Sequence, residues 1–236
     1  MAKSKNVIEE PSNSRLKVGL KCKNTKQKEL VKSIKENEII FCTGAAGTGK
    51  SYVTLATALD LLQKDNKYHK IVLLCNTIQS DIDVGFLKGS LEDKLAPSAY
   101  PHLYTLSKII TSANKDVNGM DVIKQLKKEG KIEIMCVSFL RGLTLDNSIV
   151  IIEEAQNLPK TSFKTILTRI GENSKYIFDG DLEQIDNKEL RKNVENCGLK
   201  YAINKLRDIP NVATIQFTND EIVRNPIITQ ILDKWE

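Results

Sequence analysis

Between residues 44 and 51 the chain reads Gly44-Ala45-Ala46-Gly47-Thr48-Gly49-Lys50-Ser51, a spacing that has meaning where a strand runs through a glycine loop into a helix. Both flanks meet that condition. Glu38-Ile39-Ile40-Phe41-Cys42-Thr43 has strand character, and Tyr52 to Leu62 sets Val53, Leu55, Ala56, Ala58, Leu59 and Leu62 at helical spacing. The glycines let backbone N–H groups close around phosphate oxygens, and the helix N-terminus adds the positive end of its dipole. Gly44, Ala45, Ala46, Gly47, Thr48 and Gly49 are therefore expected to cradle phosphates. Lys50 is expected to reach the β- and γ-phosphates, and the Ser51 hydroxyl to ligate Mg²⁺. The loop implies binding of a nucleoside triphosphate.

Length bounds the rest. A chain of 236 residues makes one large domain, or one domain with a short arm, and can bury a substantial core. Its longest apolar runs, Ile71-Val72-Leu73-Leu74-Cys75 and Ile149-Val150-Ile151-Ile152, are strand-sized and too short to cross a membrane. The N-terminus is polar, unlike a secretory signal. Cys22, Cys42, Cys75, Cys136 and Cys197 are scattered without a C-x-x-C pair and read as small core residues in a reducing, cytoplasmic setting. His69 and His102 are isolated, so neither zinc binding nor histidine catalysis is expected. Residues 1–32 hold nine Lys/Arg against three Glu, a net +6 in a chain of net +5, so the remainder carries −1. The basic excess sits in the arm, as a solvated tail or as a contact for a nucleic-acid backbone.

Along the chain, strand and helix patterns alternate. Strand-like segments are 38–43, 70–76, 131–137, 148–153, 175–179 and 212–217; helical ones are 26–35, 50–64, about 102–112, 119–129, 160–170, 198–207 and 226–235. Alternation of this kind predicts βαβ units and a mostly parallel sheet covered on both faces, a three-layer α/β/α P-loop domain over residues 24–236 behind a flexible basic arm, 1–23. The stretch 77–101, with Gly85, Gly89, Pro97 and Pro101, reads as an irregular functional loop.

Two strand ends carry the remaining chemistry. Ser148-Ile149-Val150-Ile151-Ile152-Glu153-Glu154 is an apolar strand ending in paired acids, and carboxyl ends of parallel strands face the ligand crevice. Glu153 is assigned to the metal and Glu154 to orienting or deprotonating the attacking water. The run Tyr176-Ile177-Phe178-Asp179-Gly180-Asp181-Leu182-Glu183-Gln184 ends similarly. Gln184 suits a sensor of the γ-phosphate, with Asp181 in support.

Taken together these residues resemble the PhoH family of phosphate-starvation-inducible P-loop ATPases, whose core is similar to the first motor domain of superfamily 1 helicases and to RecA. The resemblance spans roughly Asn24 to Trp235. It rests on Gly44–Ser51, Gly85-Phe86-Leu87, Arg141-Gly142-Leu143-Thr144, Glu154-Ala155-Gln156-Asn157, Leu167-Thr168-Arg169-Ile170-Gly171, Gly180-Asp181 with Gln184-Ile185-Asp186, and Ile222-Val223-Arg224 with Pro226. It implies ATP and Mg²⁺ as ligands and Gln27 as the residue that reads the adenine edge. The chain departs from the family pattern at Glu153, usually Asp, at Asn76-Thr77, usually Arg-Pro, and at Lys88, usually Pro.

Hydrolysis also needs positive charge at the γ-phosphoryl group, often from an arginine. A superfamily 1 motor supplies it from a second motor domain, for which this chain has no room. Arg224 is the first candidate and Arg169 the second, either acting on a neighbouring subunit in a head-to-tail ring such as a hexamer. The leading expectation is an Mg²⁺-dependent ATPase that acts on RNA or single-stranded DNA. The alternative is a nucleotide-dependent oligomeric binding module, a switch with little turnover. A small-molecule kinase would call for an arginine-rich lid, and the sequence holds no such cluster.

Overall fold

The computed structural model describes residues 16–76, 91–223 and 234. Six parallel strands form a single sheet in the order β3-β2-β4-β5-β1-β6. They are β1 (Ile39–Thr43), β2 (Lys70–Cys75), β3 (Ile132–Cys136), β4 (Ser148–Ile152), β5 (Lys175–Gly180) and β6 (Val212–Gln216). The helices are α1 (Thr25–Glu36), α2 (Lys50–Lys64), α3 (Leu91–Ala113), α4 (Gly119–Lys128), α5 (Lys160–Leu167), α6 (Lys188–Lys192) and α7 (Gly198–Leu206). Each of the six expected strands is present, and all run parallel.

The pleat sorts the core into two layers, because successive strand residues point to opposite faces. Ile40, Cys42, Ile71, Leu73, Ile149, Ile151 and Ile177 face one way and pack with Leu30 and Ile34 of α1, Val53 and Leu59 of α2, Leu106 and Ile110 of α3, and Ile123 of α4. Their neighbours Phe41, Val72, Leu74, Val150, Ile152, Tyr176 and Phe178 face the other way, onto Phe163 and Ile166 of α5 and Leu199 and Ala202 of α7. The central strands are buried on both faces, which is why they read as unbroken apolar runs. The edge strands β3 and β6 are only partly covered.

The helix boundaries differ from expectation where local signals compete with packing. α3 starts at Leu91, so residues 91–101 are helical and not a loop, with Pro97 and Pro101 inside the helix. Each proline removes a backbone donor and disfavours a helix interior, but Leu95 and Ala99 are buried there against Cys75 and Cys136. Burial outweighs the local penalty. Residues 77–90, and the helix expected at 226–235 apart from Lys234, lie outside the described residues. Leu16, Val18 and Leu20, assigned to the arm, pack against the core. Gly19 accepts a hydrogen bond from Tyr52 Oη at 2.7 Å, and Asn114 exchanges two with the Lys17 backbone at 3.2 and 2.9 Å. Cys42, Cys75, Cys136 and Cys197 are buried free thiols and Cys22 is half-buried. Among the described residues no helix is long and apolar enough to cross a membrane.

Phe178 is fully buried, with its ring 4.9 Å from Phe163 and 5.3 Å from Phe41, so it joins β5 to both α5 and β1. Phe178→Ala is expected to cost about 3–5 kcal/mol of stability in urea unfolding, and Phe178→Leu clearly less, because the alanine leaves a cavity that rigid neighbours cannot fill.

Candidate functional site

Strand register assembles the site. β5 lies between β1 and β4, with Cys42 opposite Asp179, Thr43 opposite Gly180, and Ile152 opposite Phe178. The phosphate loop leaving β1, the acids ending β4 and the acids ending β5 therefore emerge side by side at the carboxyl ends of adjacent strands. The chain also changes direction here: β1 connects through α2 to β2, past β5 and β4. Ligands of open α/β sheets bind at such a switch point.

The loop has the geometry its glycines predict. Gly44, Gly47 and Gly49 all have positive φ, at 128°, 92° and 85°. Two of them are also needed for space. A Cβ on Gly44 would lie 2.2 Å from the Phe217 carbonyl oxygen, and one on Gly49 would lie 2.7 Å from Gln27 Nε2. Lys50 Nζ turns back into the loop, donating to the carbonyls of Gly44 at 2.7 Å and Ala45 at 3.0 Å, and Thr48 Oγ1 donates to Ala45 at 3.0 Å.

At the first turn of α2, Ser51 Oγ lies 3.0 Å from Glu153 Oε2 and 3.1 Å from Asp179 Oδ2. Glu153 and Asp179 share the pleat parity of Ile151 and Ile177, so both point to the α2 and α3 side of the sheet. Burial first, and the neighbouring Glu153 second, push the Asp179 carboxyl up to about 8. A serine hydroxyl has a single proton to donate. A proton on Asp179 both lowers the charge of the pair and satisfies the hydroxyl between them. Sequence reasoning assigned roles to Asp181 and Gln184 and passed over Asp179; the alternation from Ile177 to Asp179 was the signal that could have found it.

The other oxygen, Glu153 Oε1, is buried with no hydrogen-bond donor aligned on it. His102 Nδ1 of α3 is 3.0 Å away as an ion-pair partner. Burial works to lower the imidazole's proton affinity, but contact with Glu153 outweighs it and leaves His102 above its ordinary value. His102, read from sequence as isolated, thus touches the acid assigned to the metal. That pairing is tertiary and no spacing could show it.

Glu154 follows in the left-handed region, φ 52° and ψ 36°, an unfavourable conformation for a non-glycine residue and one that recurs at functional sites. Its Oε2 accepts from Gln156 Nε2 at 2.6 Å. Gln156 is fully buried; the same Nε2 donates to the Gln184 carbonyl at 3.0 Å, and its Oε1 accepts from the Asp181 N–H at 3.1 Å. One amide thereby holds Glu154, Asp181 and Gln184 together. Gly180 leaves room for it, since a Cβ there would meet Gln156 Oε1 at 2.7 Å. Lys50, Ser51, Glu153, Glu154, Asp179, Asp181 and Gln184 all line one cavity of about 250 Å³.

A second cavity, of about 540 Å³, adjoins the loop and is lined by Gly19, Lys21, Lys23, Gln27, Gly49, Tyr52, Ser112 and Val223. Gln27 is buried and already engaged: Nε2 donates to the Thr48 carbonyl at 2.8 Å, and Oε1 accepts from the Lys23 N–H at 2.7 Å. It props the phosphate loop as well as facing this cavity. Val223 N–H donates to the Gly47 carbonyl at 3.0 Å. Arg224, the next residue, lies outside the described residues. Arg169 sits beyond the amino ends of β4 and β5, where its carbonyl accepts from Leu145 N–H and Tyr176 Oη at 3.0 Å each, at the opposite edge of the sheet from the loop. Among the described residues no arginine lines either cavity.

The donor set suits a hard cation. Ser51 Oγ, Glu153 and Asp179 offer oxygen only, and Glu153 Oε1 is a buried acceptor without an aligned donor. No cluster of three His, Cys, Asp or Glu among the described residues could hold an ion alone. Oxygen donors such as these suit Mg²⁺, which keeps waters and phosphate oxygens as ligands and takes few from protein.

Replacing Asp179 gives a test with a defined sign. Its raised pKa means the folded state keeps a proton that the unfolded state, at 3.8, releases. That contribution to stability is present at low pH and is lost as pH rises from about 4 to about 8. Asp179→Asn cannot lose it. Without nucleotide or metal, the melting temperature of Asp179→Asn relative to the natural protein is expected to rise across that window. A flat or falling difference would show that Asp179 is not protonated in the fold.

Residues 19–236 match the PhoH-like protein family. The chain is 36% identical over 217 residues to a PhoH-like protein of Bacillus subtilis, covering 92% of this chain and 64% of the relative. It is 32% identical over 215 residues to Protein PhoH of Escherichia coli K12, covering 90% and 57%. The chain thus spans somewhat under two thirds of the length of these relatives. Among solved structures it resembles the large terminase of a thermophilic bacteriophage, with a TM-score of 0.51 and 12% identity over 90% of this chain and 50% of the terminase, a likeness of fold. With the P-loop, the paired acids after β4 and the α/β sheet in place, the chain belongs to the PhoH-like protein family.

Proposed function

We propose that this chain is an Mg²⁺-dependent ATPase of the PhoH type that couples ATP hydrolysis to the binding or remodelling of single-stranded nucleic acid, acting as a ring of subunits in the cytoplasm. The observation that carries the catalytic half is the position of Ser51 Oγ within 3.1 Å of both Glu153 and Asp179, one residue after Lys50. Bound Mg²⁺ supplies charge neutralisation at the β- and γ-phosphates. The chain's own residues do the rest. Main-chain N–H groups of residues 44–51 take the phosphate oxygens, and the Lys50 ammonium moves from its carbonyl partners to the γ-phosphate side. Ser51 and Glu153 would hold the metal directly or through water, and Asp179, beside them, would release its proton to solvent and act as a carboxylate there. Glu154, held by Gln156, orients the attacking water. Gln184, tied to the same amide, reports whether the γ-phosphate is present. The cavity beside Tyr52 and Gln27 takes the base.

Turnover is the half that needs help. Neither cavity has an arginine among the described residues; the proposed source of stabilising charge is Arg224, of the same chain or of a neighbouring subunit. Val223 is anchored to Gly47 of its own chain, which makes both the same-chain and the neighbouring-chain position of Arg224 worth separating. This gap also keeps a slow nucleotide switch as the second reading.

Lys50→Ala is expected to lose ATP binding and turnover together. Glu154→Gln should keep nucleotide binding near the natural level and lower kcat by about 10²-fold or more; a Glu154→Gln protein with undiminished kcat would remove that residue from the chemistry. Steady-state ATPase rates with and without single-stranded RNA and DNA test the coupling: stimulation supports a motor, and an unresponsive, barely detectable rate supports the switch. Mixing Arg224→Ala with Lys50→Ala subunits is expected to restore part of the turnover if the arginine acts across a ring interface, with assembly mass measured in parallel. Confirmed mixed rings with no recovery would place the arginine's action within one chain or remove it.

A further inference from the structure

The outer face of α3 carries a feature that ATP chemistry does not use. Tyr100 and Tyr104 are 56% and 45% exposed, among the most exposed large apolar side chains of the described residues. They stand one helical turn apart with rings stacked, centroids 6.0 Å apart and planes 16° from parallel. Lys108, one turn further, holds its ammonium 4.4 Å over the Tyr104 ring. From Leu95 to Ala113 the helix contains no acidic residue; Glu92 and Asp93 precede that stretch, and exposed Asp116 follows Lys115 after the helix. Basic segment 17–23 lies against the same end, through Lys17 and Asn114.

We propose that Tyr100, Tyr104 and Lys108 form a stacking strip for single-stranded nucleic acid, and that α3 relays its occupancy to the ATP site through His102. The proposal rests on the polynucleotide half of the functional reading. Paired exposed aromatics give bases a flat surface that tolerates any sequence, and a neighbouring cation takes the backbone phosphate. Tyr100 to Lys108 spans about 12 Å of helix, enough for two or three nucleotides. The Lys108 ammonium at the strip, with the basic 17–23 segment held at its far end, favours a polyanion over a second copy of this nearly neutral domain. Stacking does not read the 2′-hydroxyl, so RNA and single-stranded DNA both qualify. His102 is two residues from each tyrosine and therefore points to the opposite side of the helix, where it meets Glu153 at 3.0 Å. A strand that shifts or steadies α3 acts on the same side chain that contacts the metal-side acid.

The test is fluorescence anisotropy of labelled oligo(U) and oligo(dT) with the full chain, with and without Mg²⁺ and a non-hydrolysable ATP analogue. Tyr104→Ala is expected to weaken strand binding about tenfold and the Tyr100→Ala/Tyr104→Ala pair further, while the Phe pair stays within about twofold because stacking is kept. Binding of a fluorescent ATP analogue to each variant, expected to be unchanged, shows that the fold is intact. His102→Ala should bind the strand normally but lose the nucleotide-dependent change in strand affinity. If the natural chain binds neither oligonucleotide, the polynucleotide reading fails and takes the strip with it. If it binds and the alanine pair binds equally well, the strip is wrong while that reading stands. An alanine pair that alters assembly mass and not strand affinity would make the face a contact between copies, also overturning the strip. An undiminished nucleotide response in His102→Ala would overturn the relay.

Discussion

Two carboxyl groups that share one serine hydroxyl, inside a sheet, set the terms for everything around them. Glu153 and Asp179 each lie within 3.1 Å of Ser51 Oγ, and Asp179 is buried. Two negative charges at that separation cannot both persist in a low dielectric. A proton on Asp179, the state its raised pKa describes, relieves that repulsion, and the His102 imidazole 3.0 Å from Glu153 offsets part of the charge on the other acid. The proposed Mg²⁺ would take the place of that proton. A rigid sheet is needed to hold such a pair, because flexible loops would let the acids part.

The pleat then divides labour between the two sides of β4. Glu153 continues the strand's alternation toward α2 and α3, where the phosphate loop and His102 are. Glu154 leaves that alternation through its left-handed backbone, and Gln156 holds it next to Asp181 and Gln184. Consecutive acids acquire different partners, Ser51 and His102 for one and Gln156 for the other. A single-residue change of backbone region separates two side chains that charge alone would have left equivalent.

Position 153, where the resemblance implies Asp, is Glu here, and its two oxygens have separate partners: one reaches Ser51 and the other reaches across to α3. His102 is what that extra length meets. The substitution read from sequence as a departure is thus accommodated by a residue on a distant helix, which no linear pattern connects to it.

Much of the fold was legible in order and type. Buried parallel strands must be apolar on both faces, so β1, β2, β4 and β5 announced themselves as continuous runs, and the phosphate loop declared its own strand and helix. Local signals misled at α3, where Pro97 and Pro101 argue against helix yet Leu95 and Ala99 are buried. The loop residues, Glu153, Glu154 and Gln184 could be named because they are clustered at strand ends within short motifs. Asp179, Gln156 and His102 could not, because each matters only for what stands opposite it. By itself the sequence determined which segments are strands, which loop has phosphate-binding spacing and which family the chain resembles, since those follow from periodicity and contiguous spacing. Tertiary structure alone decided that Asp179 shares Ser51 with Glu153, that Gln156 joins Glu154, Asp181 and Gln184, and that His102 of α3 meets Glu153. Strand order and register bring those groups together, and they are set by the packing of the whole sheet.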